Sequence, residues 1–131
     1  MPLEIHIKVI PHEHHRYPNT VGDYWYDKEG VLQVRVSNLG SEIFEKMVIC
    51  HELIEEALTK HRGVTEQEIM DFDLYHNERI AQGLVLPEAE AGFATNAPYR
   101  NEHAFATATE LGMCALGNID WYEYEKTVNN L

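Results

Sequence analysis

His51, Glu52 and Glu55 are the residues of this chain whose types and spacing could do chemistry, and they stand together in residues 47–58. Set on a helix at about 100° per residue, Phe44, Met47, Val48, Ile54 and Leu58 fall in one apolar arc, and His51 and Glu55 fall inside it. Four apart, the two polar side chains meet on one helix face, with Glu52 about a quarter turn away at the arc's border. A carboxylate carried into a core costs on the order of several kcal/mol unless it is paired, protonated or bound to a metal. Three arrangements answer that demand: an internal His–Glu hydrogen bond joined by another buried polar group; a transition metal held by His51 and Glu55 with Glu52 as general base beside an open position; or a Glu55 less buried than the wheel implies. Imidazole plus carboxylate at this spacing suits Zn²⁺, Mn²⁺, Fe²⁺ or Ni²⁺, and ligand type alone does not choose among them.

Other polar residues interrupt apolar rows further on. A second inward stripe reads Ile69, Phe72, Asp73, His76 and Ile80, making Asp73 and His76 candidates to support a metal or bind a second one, against the plainer reading of a half-exposed pair at a helix interface. On a third helix His103, Ala106, Thr107 and Glu110 share a face, small side chains leaving room between the polar ones. His12, His14 and His15 lie between Pro11 and Pro18 and are expected to be a solvated loop, since nothing there fixes their relative geometry.

The elements that must position these groups follow from pattern and punctuation. Leu3, Ile5, Ile7 and Val9 alternate with polar residues as in a strand with one buried face, His6 lying on the wetter side. Two further strands, residues 23–26 and 31–37, are joined by Asp27-Lys28-Glu29-Gly30, a turn composition in which Gly30 is free to take positive φ; Leu32, Val34 and Val36 should face the core. The expectation is a small, mostly antiparallel N-terminal sheet. Ser41 caps a long helix running to about Arg62 and stopped by Gly63. Thr65 and Glu68 have capping-box spacing for a second helix toward Gln82. Residues 84–100, broken by Pro87, Gly92 and Pro98, form a long connection of the kind that becomes a lid or cleft wall. Asn101 caps a helix over 102–116 ended by Gly117, and Asp120 opens a last one with Trp121, Tyr124 and Val128 against the body.

Composition bounds the rest. A chain of 131 residues is one domain, 1–131, large enough to bury a core without disulfides, and Cys50 and Cys114 read as buried free thiols. No signal peptide or membrane span is apparent, so a cytoplasmic protein is expected. A net charge of -12 makes direct nucleic-acid binding unfavourable.

Three strands, then a helix bearing His-Glu-x-x-Glu, then a later helix with more carboxylate and imidazole, resembles the minimal core of zincin metallopeptidases, most closely the small ImmA/IrrE-like group. There a strand and an asparagine-containing turn lead into Ala-His-Glu-Leu-Gly-His; here Val34-Arg35-Val36-Ser37-Asn38 leads to Cys50-His51-Glu52-Leu53-Ile54-Glu55. That group's Ala-x-x-Phe-Ala run is similar to Glu102-His103-Ala104-Phe105-Ala106. The resemblance covers residues 31–62 and 98–112. It implies a zincin-like α+β fold of a small sheet against three to four helices, His51 and Glu55 as metal ligands, Glu52 as the base acting on metal-bound water, and Glu102 or His103 as third ligand. Zinc is the expected ion, with manganese, iron or nickel as alternatives. The chain departs from the pattern where Glu55 replaces the second histidine, and an added anionic ligand should acidify bound water less. The Arg16-Tyr17-Pro18 to Asp23-Tyr24-Trp25 stretch and the His-Glu-Leu helix also look like small proteins of tailed phages and prophages.

The functional expectation is metal-dependent hydrolysis, of a peptide or protein substrate first and of a phosphoester if Asp73 or His76 brings a second ion. Two other classes compete: a non-catalytic protein with a structural metal or buried polar cluster, and an acidic inhibitor or decoy whose carboxylates mimic phosphates. Oligomeric state is not readable from these patterns.

Overall fold

The computed structural model describes residues 2–131 and runs β1 (Ile5–Ile10), β2 (Gly22–Tyr26), β3 (Leu32–Ser37), α1 (Glu42–Arg62), α2 (Glu66–Ala81), α3 (Arg100–Gly117) and α4 (Trp121–Asn129), with 3-10 turns at His12–His14 and Ala91–Phe93. Three strands and four helices make an α+β arrangement. The central strand β3 is the most apolar on one face, and Leu32, Val34 and Val36 are at most 1% exposed. Around them close Leu39 from the turn after β3, Met47 and Val48 from α1, Cys114 from α3 and Tyr124 from α4.

The sheet is mixed rather than mostly antiparallel. Its order is β1-β3-β2, with β2 antiparallel and β1 parallel to β3. Asp27 builds the expected hairpin, its Oδ1 accepting from the N–H groups of Glu29 and Val31, while Gly30 takes φ of 83°. The stretch between β1 and β2 is no tight turn, so it carries the chain past β3 and leaves β1 on the far edge. There α1 does not cover it: Ile7 and Val9 share the core-side face with Val34 and Val36 but are each 43% exposed, contrary to the buried face expected of them.

Helix α1 is bounded as its sequence predicts. The Ser41 side chain accepts from the Phe44 N–H, and Gly63, at φ of 85°, turns the chain out through the left-handed region. Thr65 and Glu68 form both halves of a capping box. Helix α3 starts before Asn101, at Arg100, and its left-handed stop is Asn118, one residue past Gly117. Cys114 is buried but Cys50 is half-buried; both are free. Among the described residues no helix is long and apolar enough to cross a membrane.

Candidate metal centre

The buried residues of α1 are Met47, Val48, His51, Glu55, Glu56 and Thr59. Its first half is therefore an apolar core face and its second half a polar one. Leu58, placed in the arc by the wheel, is instead 38% exposed. A bond to another element favours that rotation, Glu56 accepting from the Tyr26 hydroxyl of β2, while the buried Thr59 hydroxyl is satisfied within the helix by donating to the Glu55 carbonyl at 2.7 Å. At 6% exposed, Glu55 is fully inside.

Facing this half lies α3, whose buried side chains are Glu102, His103, Ala106, Glu110 and Cys114. His103 Nδ1 is 2.9 Å from Glu55 Oε2, His51 Nε2 is 3.2 Å from the same oxygen, and the two ring nitrogens are 3.2 Å apart. Those three atoms form a triangle. Tetrahedral ligands at about 2.1 Å from a zinc ion stand roughly 3.4 Å from one another, so a small outward adjustment would seat an ion. On its other side His51 donates Nδ1–H to Glu110, which also accepts from the Tyr124 hydroxyl. A carboxylate behind a histidine fixes the ring and its tautomer and strengthens the opposite nitrogen as a ligand.

Electrostatics favour a cation at this point. Burial alone would lower the His51 pKa, but hydrogen bonds with Glu110 and Glu55 push it up to about 11. His103 is pushed up to about 9 against its own burial, by Glu55 and then Glu90. Glu55 goes the other way: burial would raise it, yet hydrogen bonds from His103 and His51 hold its carboxyl below the ordinary range. Without a metal, protons on the rings supply the positive charge. A divalent ion would displace them and answer the same field.

Glu52 sits a quarter turn off this triangle. Burial, then the charge of Glu55, raises its carboxyl well above the usual range. Gly22 of β2 makes room for it, since a Cβ there would stand 2.4 Å from Glu52 Oε1. Gly92 does the same for His103, whose ring a Cβ would meet at 2.3 Å. His51, Glu52, Glu55 and His103 open onto one cleft of about 720 Å³, walled by β2, α2 and the connection that includes Glu88 and Glu90. The cluster therefore has an open side.

The remaining candidates separate. Glu102, offered as an alternative third ligand, is turned away from the pair: Arg62 holds it with Nε at 2.5 Å and Nη2 at 3.1 Å, so His103 is the residue that faces His51. Asp73 and His76 line the cleft but are engaged elsewhere. Asp73 accepts from the Tyr99 hydroxyl, and His76 Nε2 donates to the Ala89 carbonyl at 2.8 Å. They do not form a second ligand set with the His51 cluster. His12 and His15 are not solvated loop residues: both are half-buried, their ring nitrogens 2.8 and 2.9 Å from Ser37 Oγ, because the 3-10 turn folds them back over the sheet. His14 is exposed.

Several contributors escaped sequence reasoning. Tyr124, read as core, reaches Glu110; Glu90 lies 3.4 Å from His103 Nε2; and the Tyr24 hydroxyl, lining the cleft, is buried without a hydrogen-bond partner. Gly22 and Gly92 matter for what they lack, and only their being glycines in apolar or irregular surroundings hinted at a close approach. No protein-family model, curated protein or solved structure matches this chain.

Proposed function

We propose that this protein is a metal-dependent hydrolase with a zincin-like centre, acting on peptide bonds. The observation that carries the reading is the convergence of His51 Nε2, Glu55 Oε2 and His103 Nδ1 within 3.2 Å of one another beside an open cleft, with Glu52 at its edge. Two imidazoles and one carboxylate are the ligand set of many catalytic zinc peptidases, which leave the fourth position free. Here glutamate and histidine have exchanged places: the helix supplies His-x-x-x-Glu and α3 supplies the second histidine. With His103 rather than Glu102 as third ligand, the set carries one negative charge, so the weaker acidification of water expected from an extra anionic ligand does not apply.

A divalent ion held there supplies Lewis acidity, lowering the pKa of water and polarising a carbonyl oxygen. Glu52 takes a proton from the attacking water and returns it to the departing amine nitrogen, the general-base role its place at the open edge allows. Glu110 keeps His51 in the tautomer that turns Nε2 inward, with Tyr124 holding Glu110. Strand β2 offers an unpaired edge along the cleft for an extended substrate. A phosphoester substrate finds less support, because Asp73 and His76 are already bonded to Tyr99 and Ala89.

The test is elemental analysis of the untagged protein, purified without chelator, beside His51→Ala. About one equivalent of a transition metal in the parent and little in the variant is expected, with peptide hydrolysis lost in Glu52→Gln. No metal in either protein, even after incubation with zinc or manganese, would overturn the reading. It would leave the imidazoles and carboxylates as an internal hydrogen-bonded network in a non-catalytic protein.

A further inference from the structure

The charge of the cleft is one-sided. Among the described residues that line it, Arg16 is the single lysine or arginine, and its charge is spent: Nε and Nη2 bond Asp23 at 2.8 and 3.1 Å while the guanidinium lies 4.0 Å from the Trp25 ring centroid. Glu55 and Glu110 are answered by the histidines. Glu66, Glu88 and Glu90 are exposed on the same cleft and face no lysine or arginine within salt-bridge distance. They come from different segments, Glu66 from the start of α2 and the others from the connection before α3.

A second feature points to what the cleft accepts. The Val21 carbonyl accepts from the Ser37 N–H of β3 and the Asp27 N–H donates to the Val31 carbonyl just before β3, so by the alternation of an antiparallel pair Gly22, Tyr24 and Tyr26 turn their main-chain groups to the free edge. The outward N–H of Tyr26 is already taken by Glu66 Oε1 at 2.8 Å, which stops strand pairing at that end. Gly22 and Tyr24 remain, next to Glu52. Main-chain donors and acceptors at strand spacing recognise an extended backbone, and the carboxylates around them select the side chains it carries.

We propose that the cleft takes an extended polypeptide segment bearing lysine or arginine, laid along β2 at Gly22 and Tyr24 and read by Glu66, Glu88 and Glu90. That such a segment is then cut rests on the hydrolase reading, but binding itself needs no metal. Acidic segments are repelled by the same carboxylates, and uncharged ones gain only the backbone bonds.

The experiment is fluorescence anisotropy on full-length Glu52→Gln protein stripped of metal, so that nothing is cleaved. The probes are three labelled peptides of equal length, lysine-rich, uncharged and glutamate-rich. The lysine-rich peptide should bind roughly ten-fold or more tighter than the uncharged one at low salt, with the advantage collapsing as salt shortens the screening length. Adding Glu66→Gln and Glu88→Gln, which keep an acceptor oxygen at each position, should remove most of that advantage. Glu123→Gln with Glu125→Gln on α4 removes the same amount of negative charge and should leave it in place. Equal binding of the three peptides, no binding of any, or equal losses from the two charge pairs would each overturn the proposal. Selective binding by a protein that holds no metal would sustain it while the hydrolase reading fails.

Discussion

Along α1, Met47 and Val48 are buried against Leu32, Val34 and Val36 of the sheet, while one to two turns later His51 and Glu55 are buried to a similar depth, 8% and 6% exposed, against His103 and Glu110 of α3. Burial does opposite things in the two halves. The first removes apolar surface from water and stabilises the fold in proportion to area. The second strips water from four ionisable groups and recovers it only through bonds among themselves, a trade that at best roughly breaks even against a well-packed apolar replacement. A helix that spends half its inner face that way is not being held for stability alone. The polar half also turns His51, Glu52 and Glu55 toward an open cleft, to which the apolar half contributes Val48 but no group that could do chemistry.

Substitutions should therefore separate the halves, the largest effect falling on chemistry. Glu52→Gln keeps size and position but removes the proposed base, and on that proposal should lower peptide hydrolysis by roughly 10²–10⁴-fold while metal content stays at the parental level. Loss of metal together with activity would place Glu52 in the ligand set instead. Met47→Ala, in the apolar half, should cost about 2–5 kcal/mol in urea unfolding, since Met47 is fully buried, and should leave the folded protein's metal stoichiometry unchanged. Equal stability of variant and parent would mean that the apolar half is not the folding core. Glu110→Gln tests the join between halves, because Glu110 ties His51 to Tyr124 of the core. Metal affinity read by competition with a chromophoric chelator should fall about 10–100-fold, the usual effect of removing a carboxylate behind a ligating histidine. An unchanged affinity would detach Glu110 from the centre.

The apolar half and the helix ends were the more legible in sequence. Ser41, Gly63, the Thr65–Glu68 capping box and the alternation of Leu32, Val34 and Val36 all act over a few residues, so spacing alone exposes them. Of the polar half, the inward direction of His51, Glu55, His103 and Glu110 was legible from helical period, but the choice between Glu102 and His103 was not. Neighbouring residues differ by about 100° on the wheel, and the choice turned on Arg62, forty residues earlier in the chain, capturing Glu102. Leu58, expected in the apolar arc, lies outside it for a similar reason, since the Tyr26 hydroxyl on another element draws Glu56 inward. Strand β1 failed differently: its alternation marked a strand correctly but carried no information on its neighbour, and a parallel edge left Ile7 and Val9 uncovered. Contributions from the connection, Glu90 and Gly92, had no period to betray them.

Asp73 sharpens the comparison from between the two halves, since it is a carboxylate that lines the cleft with a phenol, not a cation, as its partner. Burial raises it to about 6, the Tyr99 hydrogen bond offsets part of that, and the charges of Glu55 and Asp23 add to it. The folded state therefore holds this proton in a range where the unfolded chain, with an ordinary aspartate near 3.8, has lost it. Stability contributed at this position falls as pH rises from about 4 to about 6 and stays low above that, the reverse of a salt-bridged carboxylate. Asp73→Asn keeps an acceptor for Tyr99 and removes the charge, so chelator-treated variant and parent should be equally stable near pH 4. By pH 7.5 the variant should lead by about 1–3 kcal/mol, as the shift converts. Urea unfolding at three pH values reads this directly. A gap that does not widen with pH would mean that the open cleft leaves this carboxylate hydrated, and that the cost of buried charge is confined to the His51 cluster.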